Sequence, residues 1–223
     1  MVEELILGID DAGRGPVIGP MILAGCLVTK KTEKEFRNLG VTDSKQLTQK
    51  RREFLEEKIK ELAETFEVVI VQPEKIDEHV EKNKLNELEA LACAEIINKI
   101  NKGYGRIKVV IDCPSVNITK WSDFLKNKVT DHSNLEISCE HKADVNHVAV
   151  SAASVLAKCV REKEMAKLKE LYGDGIGSGY SSDPYTKKFI EHHGNEYKDK
   201  GIIRKSWGTW KDSQKVAAQR KLF

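Results

Sequence analysis

Gly8-Ile9-Asp10-Asp11-Ala12-Gly13-Arg14-Gly15-Pro16, running on to Gly19-Pro20, is the stretch on which the reading of this chain turns. Ahead of it, Leu5 to Ile9 is a short apolar run that ends on two adjacent acids. Behind it, Met21 to Val28 is a second apolar run, so a strand, a Gly/Pro-rich turn and a second strand are expected. A carboxylate at the end of a buried strand is costly unless a donor, a cation or a metal compensates it. Asp10 and Asp11 are therefore candidates for chemistry, because the glycines that follow let backbone approach a ligand closely. The segment is not a nucleotide loop. The third glycine of G-x-G-x-x-G is missing after Gly13-Arg14-Gly15, and no G-x-x-x-x-G-K-[ST] occurs anywhere in the chain.

Working outward, Ile107 to Ile111 is a β-branched run that delivers Asp112 at its C-terminal end. Leu135 to Cys139 is strand-like and leads into His141-Lys142-Ala143-Asp144. Asp144 opens a helix, where a carboxylate also serves simply as a cap. If the first strand and the Ile107 strand are neighbours, Asp10 and Asp112 converge, and an all-oxygen cluster suits Mg²⁺ or Mn²⁺ rather than zinc. Helices are expected from Thr48 onward, with Leu55, Ile59, Leu62 and Phe66 at helical spacing, although Phe66 to Val71 is itself strand-like. Pro73 suits the first turn of a short helix, and Asn86 with Glu89 resembles a capping box for a helix to Ile100. Small residues fill Val145 to Ala157 ahead of charged helical sequence to Tyr172, and Asp183-Pro184 starts another helix. The fold class is α/β, with a body over residues 1–172 and a basic helical C-terminal subdomain over 173–223.

Of 223 residues, 40% are hydrophobic and 32% charged, which excludes a disordered or fibrous chain. No apolar run reaches the roughly 18 residues of a membrane helix. The opening MVEELILGID lacks the basic segment of a secretory signal. Five cysteines, widely spread and without a C-x-x-C pair, read as reduced thiols of a cytoplasmic protein. Residues 185–223 carry ten Lys or Arg against four Asp or Glu, which suggests a polyanionic partner or a solvated helical surface.

The opening motif resembles the signature of type 2 ribonuclease H, ribonuclease HII, most closely in its archaeal branch. Further blocks similar to that family follow in order: Asp43-Ser44-Lys45-Gln46-Leu47, Ile111-Asp112, His141 to Asp144, Ser151-Ala152-Ala153-Ser154, and Gly177-Ser178-Gly179-Tyr180 with Ser182-Asp183-Pro184. The resemblance implies an RNase H-like fold, a mixed five-stranded sheet flanked by helices. It implies a nuclease that hydrolyses the RNA strand of RNA–DNA hybrids and incises duplex DNA 5′ of embedded ribonucleotides, leaving 3′-hydroxyl and 5′-phosphate ends. The metal-binding and catalytic acids would be Asp10, Asp11, Asp112 and Asp144, holding two Mg²⁺ or Mn²⁺ ions that serve the attacking water and the leaving oxygen. The family's second acid is normally Glu, and this chain has Asp11 there. By the same resemblance Gly13, Arg14, Gly15 and Tyr180 meet the 2′-hydroxyl, while Ser44, Lys45, Lys142 and Ser154 touch phosphates. Gln219 to Phe223 is similar to a sliding-clamp peptide without its second terminal aromatic. A monomer with no membrane contact is expected. The alternatives are another nuclease of the same fold, the type 3 enzyme with its added N-terminal domain, or a hybrid-binding module that has lost catalysis.

Overall fold

The computed structural model describes residues 4–42 and 47–220. Its first strand, β1 (Leu5–Ala12), continues through both acids. Pairing explains the extension: β2 (Met21–Thr29) runs antiparallel beside it, with Asp10 opposite Ala24 and Asp11 opposite Leu23, so the ladder persists to Ala12. Next come α1 (Lys30–Asn38) and α2 (Gln49–Leu62), capped by the hydroxyls of Thr29 and Thr48, which accept from the N–H groups of Thr32 and Arg51. Helix α2 stops at Leu62, and Phe66 belongs to β3 (Thr65–Val71), where the β-branched run Val68 to Val71 prevails over helical spacing. The chain continues through α3 (Pro73–Val80), α4 (Leu85–Ile100), β4 (Ile107–Asp112), α5 (Ile118–Lys126), β5 (Leu135–Glu140), α6 (Ala143–Asn146), α7 (Val148–Tyr172), α8 (Pro184–Tyr197) and α9 (Gly208–Arg220). Helix α4 opens at Leu85, which puts Asn86 in its first turn rather than at its cap.

The five strands form one mixed sheet in the order β3-β2-β1-β4-β5. Strands β1, β4 and β5 are parallel, with Ile9 beside Ile111 and Asp112 beside Glu140, so their C-terminal ends line one edge. That edge is where ligands bind in sheets of this kind. Helices cover both faces. A Cβ on Gly8 would lie 2.1 Å from the carbonyl carbon of Ala149, so the α7 backbone rests directly on β1, as its run of small residues allows. On the other face a Cβ on Gly25 would lie 2.4 Å from Cγ2 of Ile96 on α4.

The chain forms two compact units. The first comprises Met1–Ala12, Ile22–Val69 and Asn86–Val160; the second comprises Gly13–Met21, Ile70–Leu85 and Arg161–Phe223. The second has its own apolar core, in which Val17, Ile18, Ile176, Phe189, Ile203 and Trp210 are buried. There α8 starts as its sequence requires, with Pro184 in the first turn and the Asp183 carboxylate accepting from Tyr185 N–H at 2.9 Å.

Candidate active site

In the first unit, strand alternation sends Asp10 toward α7 and Asp11 toward α4. Asp10 is only 6% exposed. Its Oδ1 accepts from the Asp11 N–H at 2.7 Å, and the Ser154 hydroxyl on α7 donates to the same carboxylate. Those bonds favour the ionised form, yet burial, followed by the charges of Asp11 and Asp112, pushes the Asp10 carboxyl well above the usual 3.8. Asp112, at the end of β4, accepts from the Ala143 N–H at 2.8 Å and so ties the strand to the start of α6. Asp144 is the next residue of α6, and it is buried. The Ser151 hydroxyl clamps its carbonyl to α7 at 2.6 Å. Before it, Lys142 is exposed and adopts the left-handed conformation, φ 58°, which turns the chain from β5 into α6.

Asp10, Asp11 and Asp112 line one cavity together with Glu89 and Cys93 of α4 and Trp121 of α5. Glu89, 1% exposed, is an acid that sequence reading treats only as a cap partner. Its signal is a lone carboxylate inside the otherwise apolar stretch Leu88 to Ala94. Burial, followed by the charge of Glu89, pushes the Cys93 thiol well above its ordinary range, so this wall is inert as a nucleophile. Among the described residues, no three His, Cys, Asp or Glu side chains stand in a ready metal-ligand arrangement. Asp10 and Asp112 are aimed instead at the protein donors named above. The donor set, all carboxylate oxygen at the ends of neighbouring strands, has the chemistry that hard divalent cations prefer.

The second unit holds the glycine motif. Gly13 has φ 80°, and a Cβ there would come within 2.6 Å of the Arg161 side chain. Gly15 is exposed, and a Cβ on it would meet nothing within 4 Å. Tyr180 is 41% exposed and lies over the Arg161 guanidinium at 4.7 Å. Arg161 in turn donates to the Ser178 carbonyl at 2.9 Å, and the Val17 N–H donates to the Gly179 carbonyl at 2.8 Å. The loop and the tyrosine segment are therefore one hydrogen-bonded assembly. Arg161 and Arg204, both buried, are functional candidates that sequence reading passes over. Ser44 and Lys45 lie outside the described residues, as does the end of the Gln219 to Phe223 segment.

Residues 7–210 match the family described as ribonuclease HII. The chain belongs to the ribonuclease HII family. It is 43% identical over 221 residues to the ribonuclease HII of Methanococcus maripaludis, which covers 99% of this chain and 91% of the relative. The crystal structure of the ribonuclease H2 from Pyrococcus horikoshii is similar at TM-score 0.85 and 36% identity, over 95% of this chain and 98% of that one. Ribonuclease HII in a PCNA complex from Archaeoglobus fulgidus is similar at TM-score 0.79 and 37% identity, over 91% of this chain and 95% of that one. The chain is thus a ribonuclease H nuclease on the RNase H-like fold, and nucleic acid is its substrate. Among the described residues, no helix is long and apolar enough to cross a membrane.

Proposed function

We propose that this ribonuclease HII is a divalent-metal-dependent endonuclease that cuts the RNA strand of RNA–DNA hybrids and incises duplex DNA 5′ of embedded ribonucleotides, leaving 3′-hydroxyl and 5′-phosphate ends. The supporting observation is the buried Asp10 carboxyl, held far above its ordinary range beside Asp11 and Asp112. Carboxylates crowded in this way are stabilised by cations in their midst. Asp10, Asp11, Asp112 and Asp144 would hold Mg²⁺ or Mn²⁺, which supplies an activated water and charge neutralisation at the phosphate. Ser154 and the Asp11 N–H aim the Asp10 carboxylate. The exposed Lys142 meets a phosphate next to the acids, and Ser44 and Lys45 meet others. The Gly13-Arg14-Gly15 backbone and Tyr180 read the 2′-hydroxyl, the group that distinguishes a ribonucleotide within DNA. The basic helices of residues 173–223 lie along the duplex and give binding its salt dependence. The monomer also meets a sliding clamp through Gln219 to Phe223, as the PCNA complex of the Archaeoglobus relative supports.

The test is a duplex carrying one ribonucleotide, incubated with Mg²⁺, with Mn²⁺ and with chelator, and the ends then mapped. Cleavage 5′ of the ribonucleotide only with metal is expected. Cleavage in chelator, or equal cutting of all-DNA duplex, would overturn the reading.

A further inference from the structure

Arg204 is completely buried, between α8 and α9, and its side chain donates to three main-chain carbonyls. A guanidinium has five N–H donors in a rigid fork and nothing to accept with, so burying it demands acceptors in matching positions. Here they are main-chain carbonyls of the glycine loop. Nη2 donates to Gly13 at 2.6 Å, Nη1 to Arg14 at 2.7 Å and Nε to Gly19 at 3.0 Å. The Arg204 main-chain N–H donates to the Val17 carbonyl at 2.8 Å. Trp207, three residues further on, stacks on the guanidinium at 5.0 Å, and its indole N–H donates to the Gly15 carbonyl at 2.8 Å.

All three carbonyls of Gly13-Arg14-Gly15 are therefore drawn to one side, and no peptide bond here is cis. In a planar trans unit the carbonyl of one residue and the N–H of the next point in opposite directions. Holding the Gly13 and Arg14 carbonyls inward thus turns the N–H groups of Arg14 and Gly15 to the other side. The row of donors ends there, because Pro16 has no N–H.

We propose that Arg204, with Trp207 stacked on it, is a positioning residue that fixes the direction of the Arg14 and Gly15 N–H groups and thereby sets the preference for ribose over deoxyribose. This rests on the reading that the loop meets the 2′-hydroxyl. Lysine cannot replace the fork, since a single ammonium cannot span three carbonyls in fixed directions. Trp207→Phe keeps a ring beneath the guanidinium and removes the bond to Gly15, so it carries the test if Arg204→Lys does not fold.

Two measurements on the full chain decide the matter. Hydrogen exchange over residues 13–19 of the free protein reports the loop. The ratio of Kd values for an all-DNA duplex and the same duplex with one ribonucleotide, taken in Ca²⁺, reports the ribose preference. We expect faster exchange, a ratio that falls toward unity, unchanged all-DNA affinity, and cleavage lower by about a hundredfold, as for a reacting group misplaced by about 1 Å. A merely structural role would weaken both duplexes alike. Unchanged exchange, whether the ratio is kept or lost, overturns the role of Arg204 and leaves the ribose reading of the loop standing. Faster exchange with the ratio intact overturns that reading, and this proposal with it.

Discussion

The two units bury charge in opposite ways. In the first, Asp10 is buried beside Asp11 and Asp112, and their repulsion adds to the cost of burial. In the second, the buried Arg204 is met by three carbonyls in the geometry its fork requires. A charge whose partners are all protein groups supports structure, whereas a charge crowded by its own kind stores a demand that something from outside must satisfy. On the proposed reading, the contrast separates the acids that meet cations from the group that holds the glycine loop.

The strongest test of that contrast is Asp10→Asn. Cleavage should fall by about a thousandfold, the scale of losing a well-placed electrostatic group. Stability in chelator should move the other way. The folded Asp10 binds its proton above 3.8, so between that value and its raised value the folded state holds more protons than the unfolded one. Stability is therefore lost as pH rises through that window, and asparagine removes the loss. Thermal melts in EDTA should show the variant gaining on the wild type from pH 4 toward neutrality; a gap that shrinks with rising pH would contradict the burial argument.

Arg204→Met should do the reverse. It leaves the loop carbonyls without their donor and costs about 3–5 kcal/mol, the usual penalty for breaking a buried charged interaction from one side. Urea unfolding measures it, and a loss under 1 kcal/mol would mean that the carbonyls find other donors.

Within the loop, two glycines sharpen the division further. Gly13→Ala places a methyl group against Arg161 at a left-handed φ and should cost about 1–3 kcal/mol. Gly15→Ala meets open space in the free protein, so its melting temperature should stay put while cleavage at a single ribonucleotide drops. A destabilised Gly15→Ala would show that its glycine is needed by the fold rather than by the substrate.

The smallest expected effect is at Asp11, where the family normally has Glu. Asp11 is held in register opposite Leu23, so the backbone has little freedom to advance and make up the missing methylene. Asp11→Glu should then lower the Mg²⁺ concentration needed for half-maximal cleavage severalfold, with less change in Mn²⁺. If the variant needs more of both metals, the surrounding site has adapted to aspartate.

Much of this was legible in the sequence. Buried parallel strands are continuous apolar runs, so the Leu5 and Ile107 segments declared themselves, and the acids at their ends marked the edge of the sheet where they share a cavity. The RNase H-like fold followed from the ordered family blocks. What was hidden depends on partners distant in the chain. The extension of β1 through Asp11 comes from pairing with β2, while the left-handed turn at Lys142 has no glycine to announce it. Helix α1 has Phe36 as its one large apolar residue, too little to show a period. Glu89 looks like half of a capping box until α4 is seen to bury it against the acids. Arg204 is hidden most deeply, as one basic residue in a basic tail whose partners precede it by up to 191 positions.

That separation has a consequence for the order in which the enzyme comes into being. The glycine motif is made up to 191 residues before the side chain proposed to orient it. At about 5–20 residues per second, the interval is on the order of 10–40 s. In its later half, once β4 has been made, the strands bearing Asp10 and Asp112 can pair, while the loop's carbonyls have water in place of their guanidinium. On the proposed reading, a nascent chain gains its cluster of acids before its ribose-facing loop is set, and discrimination is the last property it gains.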